Sequence, residues 1–139
     1  MSQLPSHNAI NQRPAPRGRT TASDLPIFQK LGEAYKTWHI GLQNISKLSR
    51  HTLGAKIDTL FIETTELILL AGYAPKEQKS SLLKRTSGKL DVLKFFLQLA
   101  WEMKILENSR YEAISAPLDE AGRMLGGWRK QAANKTPIQ

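Results

Sequence analysis

Four stretches of this chain repeat apolar residues at alternating spacings of three and four, and none alternates apolar with polar residues between hairpin turns. Three-four spacing puts such residues on one stripe of an α-helix, whereas a half-buried strand needs a period of two. The first stripe reads Ile27, Leu31, Ala34, Trp38 and Ile45, with Gly41 filling one slot. The second reads Leu53, Ile57, Leu60, Thr64, Leu67 and Ala71, and the third Leu83, Thr86, Leu90, Leu93, Leu97 and Ala100. The fourth reads Tyr111, Ile114, Leu118, Ala121, Leu125, Trp128 and Ala132. The connections are short, at Ser46–Leu48, Ala74–Pro75 and Asn108–Ser109. Short connections make consecutive helices antiparallel neighbours. The expected fold is all-α, an antiparallel up-down-up-down four-helix bundle.

Local signals set the ends. Ser23 or Asp24 can cap the first helix, with Pro26 in its first turn. The second helix is expected to start after Ser49 and to stop before Pro75, whose ring disfavours a helical residue ahead of it. Pro117 removes a hydrogen bond inside the fourth run, which predicts a kink or break near residue 116, with Ser115 able to cap a restart. Residues 1–22 hold Arg13, Arg17 and Arg19 with no acid and no periodic apolar residue, so they read as a disordered basic arm. The bundle is assigned to 23–132 and a flexible tail to 133–139.

A search for chemistry comes back empty. The chain has no cysteine, which excludes disulfides, thiolate metal sites and cysteine nucleophiles. His7, His39 and His51 lie far apart, without a carboxylate at ligand spacing. Glu63 and Glu66 sit a turn apart, but the Glu-x-x-His pair of di-iron bundles is missing. There is no phosphate-cradling glycine loop and no nucleophile elbow. No catalytic residue, metal, cofactor or small-molecule substrate is therefore assigned. The longest apolar run, Leu67 to Gly72, is far below the roughly 20 residues of a membrane span. A secretory signal is not visible, so a cytoplasmic protein without membrane contact is expected.

Two surface features remain. The central helices carry more apolar residues than one stripe can hold: Ile62 and Leu69 on the second, and Val92, Phe95 and Leu99 on the third. A square bundle cannot bury both faces of a helix, so these five are assigned to a homo-oligomer interface. The formal net charge is +8. The segment 49–74 is slightly acidic, while the third helix gathers Lys76, Lys79, Lys84, Arg85, Lys89 and Lys94. Arg110, Arg123, Arg129 and Lys130 follow on the fourth. Such cations neutralise phosphates with little sequence discrimination. Lys84, Arg85, Lys89, Arg110, Arg123, Arg129 and Lys130 are the nucleic-acid-binding candidates. Near the C-terminus, Gly122, Gly126, Gly127 and Trp128 are assigned a packing role, because helical glycines cost about 1 kcal/mol each against alanine and close packing would offset that.

These residues resemble a known family. Lys30-Leu31-Gly32-Glu33-Ala34-Tyr35-Lys36-Thr37-Trp38-His39, the stretch Thr52 to Asp58, the stretch Lys89 to Leu97, Leu99 to Glu102, and Leu118 to Trp128 are similar to the Avd family. These are the accessory variability determinants of diversity-generating retroelements, related to four-helix-bundle proteins encoded within bacterial ribosomal RNA genes. The likeness spans about residues 28–130; Pro117 and the long arm depart from the pattern. The resemblance implies a barrel-like homopentamer. It also implies partnership with a reverse transcriptase and its template RNA in error-prone cDNA synthesis, and leaves RNA, DNA and RNA–DNA hybrid open as the preferred ligand. The rival class is a structural oligomeriser, like the ribosomal-gene relatives, without a polymerase partner.

Overall fold

Four long helices form where the stripes fall: α1 (Pro26–Gly41), α2 (Ala55–Tyr73), α3 (Lys76–Glu102) and α4 (Asn108–Asn134). They are seen in a computed structural model that describes residues 25–134. No strand occurs among the described residues. On α3 the buried residues are Leu83, Thr86, Leu90, Leu93, Leu97 and Ala100, the stripe read from the sequence. On α2 the stripe is rotated slightly, so that Phe61 and Ile68 are buried while Leu53 and Leu67 are only half-buried. The threonines inside the core are satisfied locally. Thr64 and Thr86 each donate a 2.7 Å hydrogen bond to the carbonyl one turn back, Leu60 and Leu82 respectively. A buried hydroxyl left without a partner would be costly.

The helices run antiparallel around the core in the order α1, α2, α3, α4, and three of the four seams are closely packed. Each close seam carries an interhelical ion pair: Lys30 with Glu120 (3.2 Å) between α1 and α4, Lys94 with Asp119 (2.8 Å) between α3 and α4, and Lys89 with Glu63 (3.0 Å) between α2 and α3. All six side chains are partly exposed, so each pair contributes little stability and serves mainly to fix register. The fourth seam is different. α1 touches α2 only sparsely. The carboxylate of Asp58 there accepts from the Tyr35 hydroxyl (2.9 Å) and from Nε1 of the fully buried Trp38 (3.2 Å). The Tyr35 ring also meets Phe61 edge-on at 5.4 Å.

Three expectations about element ends need correction. The first helix stops at Gly41 and passes into a 3-10 turn, Leu42–Asn44, so Ile45 reaches the core from the connection. The cause lies across the seam. Arg110 packs so tightly on Gly41 that a Cβ there would collide with its side chain, and its Nη1 donates to the Thr37 carbonyl at 3.1 Å. Helical winding resumes earlier than Ser49, because Ser46 Oγ accepts from Ser49 N at 3.2 Å and caps the turn Lys47–Ser49. A π-helical turn, Arg50–Gly54, then feeds α2. Finally, α4 runs through Pro117 without a break, and Ser115 caps no restart. Pro117 is buried on the core side, and the carbonyl it leaves without an amide belongs to exposed Ala113, where water can serve it. The cap position of α1 is Leu25, which makes no side-chain cap, in place of the expected Ser23 or Asp24; the arm 1–22 and the end of the tail lie outside the described residues.

The turn from α3 to α4 stores strain at one position. The Lys104 amide donates to Trp101 O (3.0 Å) and the Ile105 amide to Ala100 O (2.8 Å), the paired bonds of a Schellman motif. Lys104 takes the left-handed position, with φ 64°, where glycine is the usual residue. Lys104→Gly should therefore raise stability by about 1 kcal/mol, read as a higher urea midpoint at unchanged slope.

Asp58 sets a second expectation. Asp58→Ala strands the buried Trp38 N–H and should cost about 1–3 kcal/mol in urea unfolding. Burial, then the hydrogen bond and the negative charge of Asp58, hold the Tyr35 phenol above its ordinary pKa. A raised folded pKa means that the stability tied to this proton is complete below about pH 10, where unfolded tyrosine titrates, and is lost as pH rises through the folded value. Tyr35→Phe should flatten that alkaline decline; an unchanged alkaline slope would remove Tyr35 as its source.

Candidate nucleic-acid interface

The seven candidate cations divide by what they already touch. Lys89 is held by Glu63 at 3.0 Å and is half-buried. Arg110 is built into the α1/α4 packing through Thr37 and Gly41. Lys89 therefore presents no free charge, whereas Arg110 has no ion pair but is committed to this packing. Lys84, Arg85, Arg123 and Lys130 are exposed or half-exposed, with no ion pair among the described residues. Arg129 is exposed as well, and its guanidinium reaches across to Ser87 Oγ at 3.4 Å. Lys94, opposite Asp119, belongs with the paired cations.

The free cations occupy two sides of α3. Lys84 lies one turn before Ser87, the residue that Arg129 reaches, so Lys84, Arg129 and Lys130 share the outer α3/α4 seam. Arg123 stands two turns further along α4. Arg85 lies one turn before Lys89 and therefore faces the α2 side.

Antiparallel packing brings the start of α3 and the end of α4 to one end of the bundle. There Lys76, Lys79, Trp128, Gln131 and Ala132 line a depression of about 380 Å³, with the Lys79 ammonium 6.0 Å from the centre of the Trp128 ring. That contact pairs a cation with an aromatic face. Glu77 is the acid nearby on α3. The start of α1 is at the same end. At the opposite end Lys36, Lys47, Arg50, Lys56, Lys104 and Arg110 are interspersed with Asp58, Glu102, Glu107 and Glu112. The larger excess of positive charge is thus at the end that holds Trp128 and along the seam beside it. Trp128 was legible in the sequence as an apolar body; its place under Lys79 was not, because the two are 49 residues apart.

The four residues assigned a packing role differ in what they meet within the chain. A Cβ on Gly122 would meet Leu90 at an ordinary 3.7 Å, and Trp128 packs on the core. A Cβ on Gly126 or Gly127, however, would meet nothing within 4 Å, so these two make no close packing within the chain. They leave bare backbone between Arg123 and Lys130.

Four of the five apolar residues assigned to an interface are exposed, Ile62 48%, Leu69 40%, Val92 42% and Phe95 59%, and Leu99 is half-buried. Leu70, Tyr73, Trp101 and Met103 add exposed apolar surface that the periodic reading passed over. Trp101 is stacked on Tyr111 at 5.0 Å and donates to Asn108 Oδ1 at 2.6 Å. Along the sparse α1/α2 seam, Phe28, Leu31, Gly32, Tyr35, Phe61, Ile62, Thr65 and Glu66 enclose a mostly apolar groove of about 300 Å³.

No cluster of three or more histidine, aspartate or glutamate side chains capable of holding a metal occurs among the described residues, and none of their helices is long and apolar enough to cross a membrane. Fold and surface together define a basic helical-bundle protein whose distinctive features are faces for contact. The chain belongs to the bAvd-like family, whose model matches residues 25–132. That family is of the accessory type associated with diversity-generating retroelements. No curated protein and no solved structure matches the chain.

Proposed function

We propose that this protein is a non-catalytic accessory subunit of a diversity-generating retroelement, acting as a homo-oligomer, in the family's pattern a pentamer. It would hold template RNA, or the hybrid that replaces it, for the element's reverse transcriptase during error-prone cDNA synthesis. Family membership supports the setting. The observation that carries the nucleic-acid part is the run of unpaired cations Lys84, Arg123 and Lys130 along the α3/α4 seam, continued by Arg129 and by Lys76 and Lys79 around Trp128. Bare backbone at Gly126 and Gly127 lets a phosphate chain approach the helix between those charges. None of these groups reads a base edge, so the affinity is set by phosphate neutralisation and depends on salt.

The triple reversal Lys84→Glu, Arg123→Glu and Lys130→Glu should lower affinity for single-stranded RNA at least about tenfold at physiological salt. It should also reduce the slope of log affinity against log salt by about 2, near 0.7 for each lost phosphate contact. Lys89→Gln, which removes an already paired cation, should leave that slope unchanged. Equal slopes for wild type and the triple variant would remove the seam from the claim. For the polymerase partnership the measurement is co-elution of the protein with the element's reverse transcriptase after nuclease treatment. Its absence would favour the structural oligomeriser.

A further inference from the structure

The groove between α1 and α2 and the outer ridge of α3 are two of the apolar features that the fold leaves uncovered. They lie on different sides of the bundle. The ridge is Gly88, Val92, Phe95 and Leu99, spaced three and four along the side of α3 turned away from the core. We infer that the groove is the seat of this ridge from a second copy of the chain, with Arg85 pairing with Glu66 at the groove rim and Gly88 crossing over Gly32. The inference rests on the homo-oligomer reading above and names the contact that builds it.

Three observations select a second copy as the occupant. The first is charge. Glu66 lines the groove and has no ion pair, although its neighbour Glu63 is paired with Lys89. Arg85 borders the ridge and is equally unpaired. The second is register. The Lys89–Glu63 pair sets Gly88 level with Thr64 along the bundle, and the Tyr35–Phe61 contact sets Gly32 at that same level. By the same register Arg85 lies within about 1.5 Å, one residue's rise, of the level of Glu66. Copies related by rotation about an axis parallel to the bundle keep their levels. Arg85 of one would then meet Glu66 of the next, and Gly88 would meet Gly32. The third is steric. A Cβ on Gly32 or Gly88 meets nothing within 4 Å, so each backbone is open to approach from outside. Two facing glycines let helices come closer than side chains allow, and Val92 can then enter beside Ile62 and Tyr35.

Because groove and ridge are different surfaces, the contact is head-to-tail, the kind that closes into a ring when the rotation permits. Lys84 and Arg85 both lie one turn before Gly88, with Arg85 on the α2 side of α3.

The test uses the full chain and measures mass by light scattering over a dilution series, with circular dichroism to confirm helix content. Glu66→Arg and Arg85→Glu should each raise the concentration at which the assembly dissociates by at least about tenfold, and the double swap should return it to within about threefold of wild type. A second variant does not depend on charge. The chain has no cysteine, so Gly32→Cys with Gly88→Cys introduces the sole thiols. Those two positions face outward on diagonal helices and cannot bond within one chain, since a disulfide needs Cα atoms within about 7 Å. Oxidation should therefore give a covalent ladder beyond the dimer, which neither single variant can form. A wild-type oligomer whose mass ignores both charge variants, or one that yields no ladder, overturns the groove assignment alone. A monomeric wild type overturns the oligomer reading, and this contact with it.

Discussion

The carboxylate of Asp58 is the constraint around which this bundle is arranged. Three seams close by apolar packing with an ion pair across each. The α1/α2 seam instead depends on one side chain of α2 that takes hydrogen bonds from both Tyr35 and Trp38 of α1. A buried indole N–H without an acceptor is costly, so Asp58 fixes where α1 can lie. Holding α1 there keeps Phe61 against Tyr35 and leaves the rest of the seam open as a groove. An apolar groove is costly to keep wet. The bundle thus closes three seams and leaves the fourth as an open apolar groove.

The charge follows the same division between holding the fold and facing outward. Lys30, Lys89 and Lys94 sit at seams opposite acids, while Arg110 fills the space above Gly41. Net charge alone does not separate these from Lys84, Arg123 and Lys130, because a lysine one turn away on the same helix can be structural or free. Position relative to the neighbouring helix decides it. On α3 the change comes within six residues, from Lys84 to Lys89.

This explains what could be read from the sequence and what could not. The α3 stripe is legible to the residue because a long helix packed between two neighbours buries one narrow arc. The start of α2 is less so, since Leu53 falls in a π turn ahead of the helix, while within α2 Phe61 and Ile68 join Ile57, Leu60, Thr64 and Ala71 inside. Pro117 is a strong local breaker that tertiary packing overrides, because its ring is buried and its orphaned carbonyl belongs to an exposed residue. Gly126 and Gly127 show the reverse failure. Glycines in a helix suggest close packing, but the sequence does not say whether the packing partner lies inside the chain. Likewise the ion pairs join residues 25, 26 and 90 apart, distances over which no periodicity argument reaches.

The two kinds of outward face share α3 but otherwise use different helices. The groove belongs to α1 and α2 and the ridge to the outer side of α3, which leaves Arg123, Gly126, Gly127 and Lys130 of α4 uncovered in a head-to-tail ring. A single seam with a few exposed cations is a weak ligand for a polyanion at physiological ionic strength, since each contact is screened within about 8 Å. Repeating the seam around a ring changes the arithmetic. The second and later contacts on one strand become intramolecular, so avidity grows without any new chemistry. In the proposed ring such a surface would hold a long phosphate chain at many points and still release any one of them.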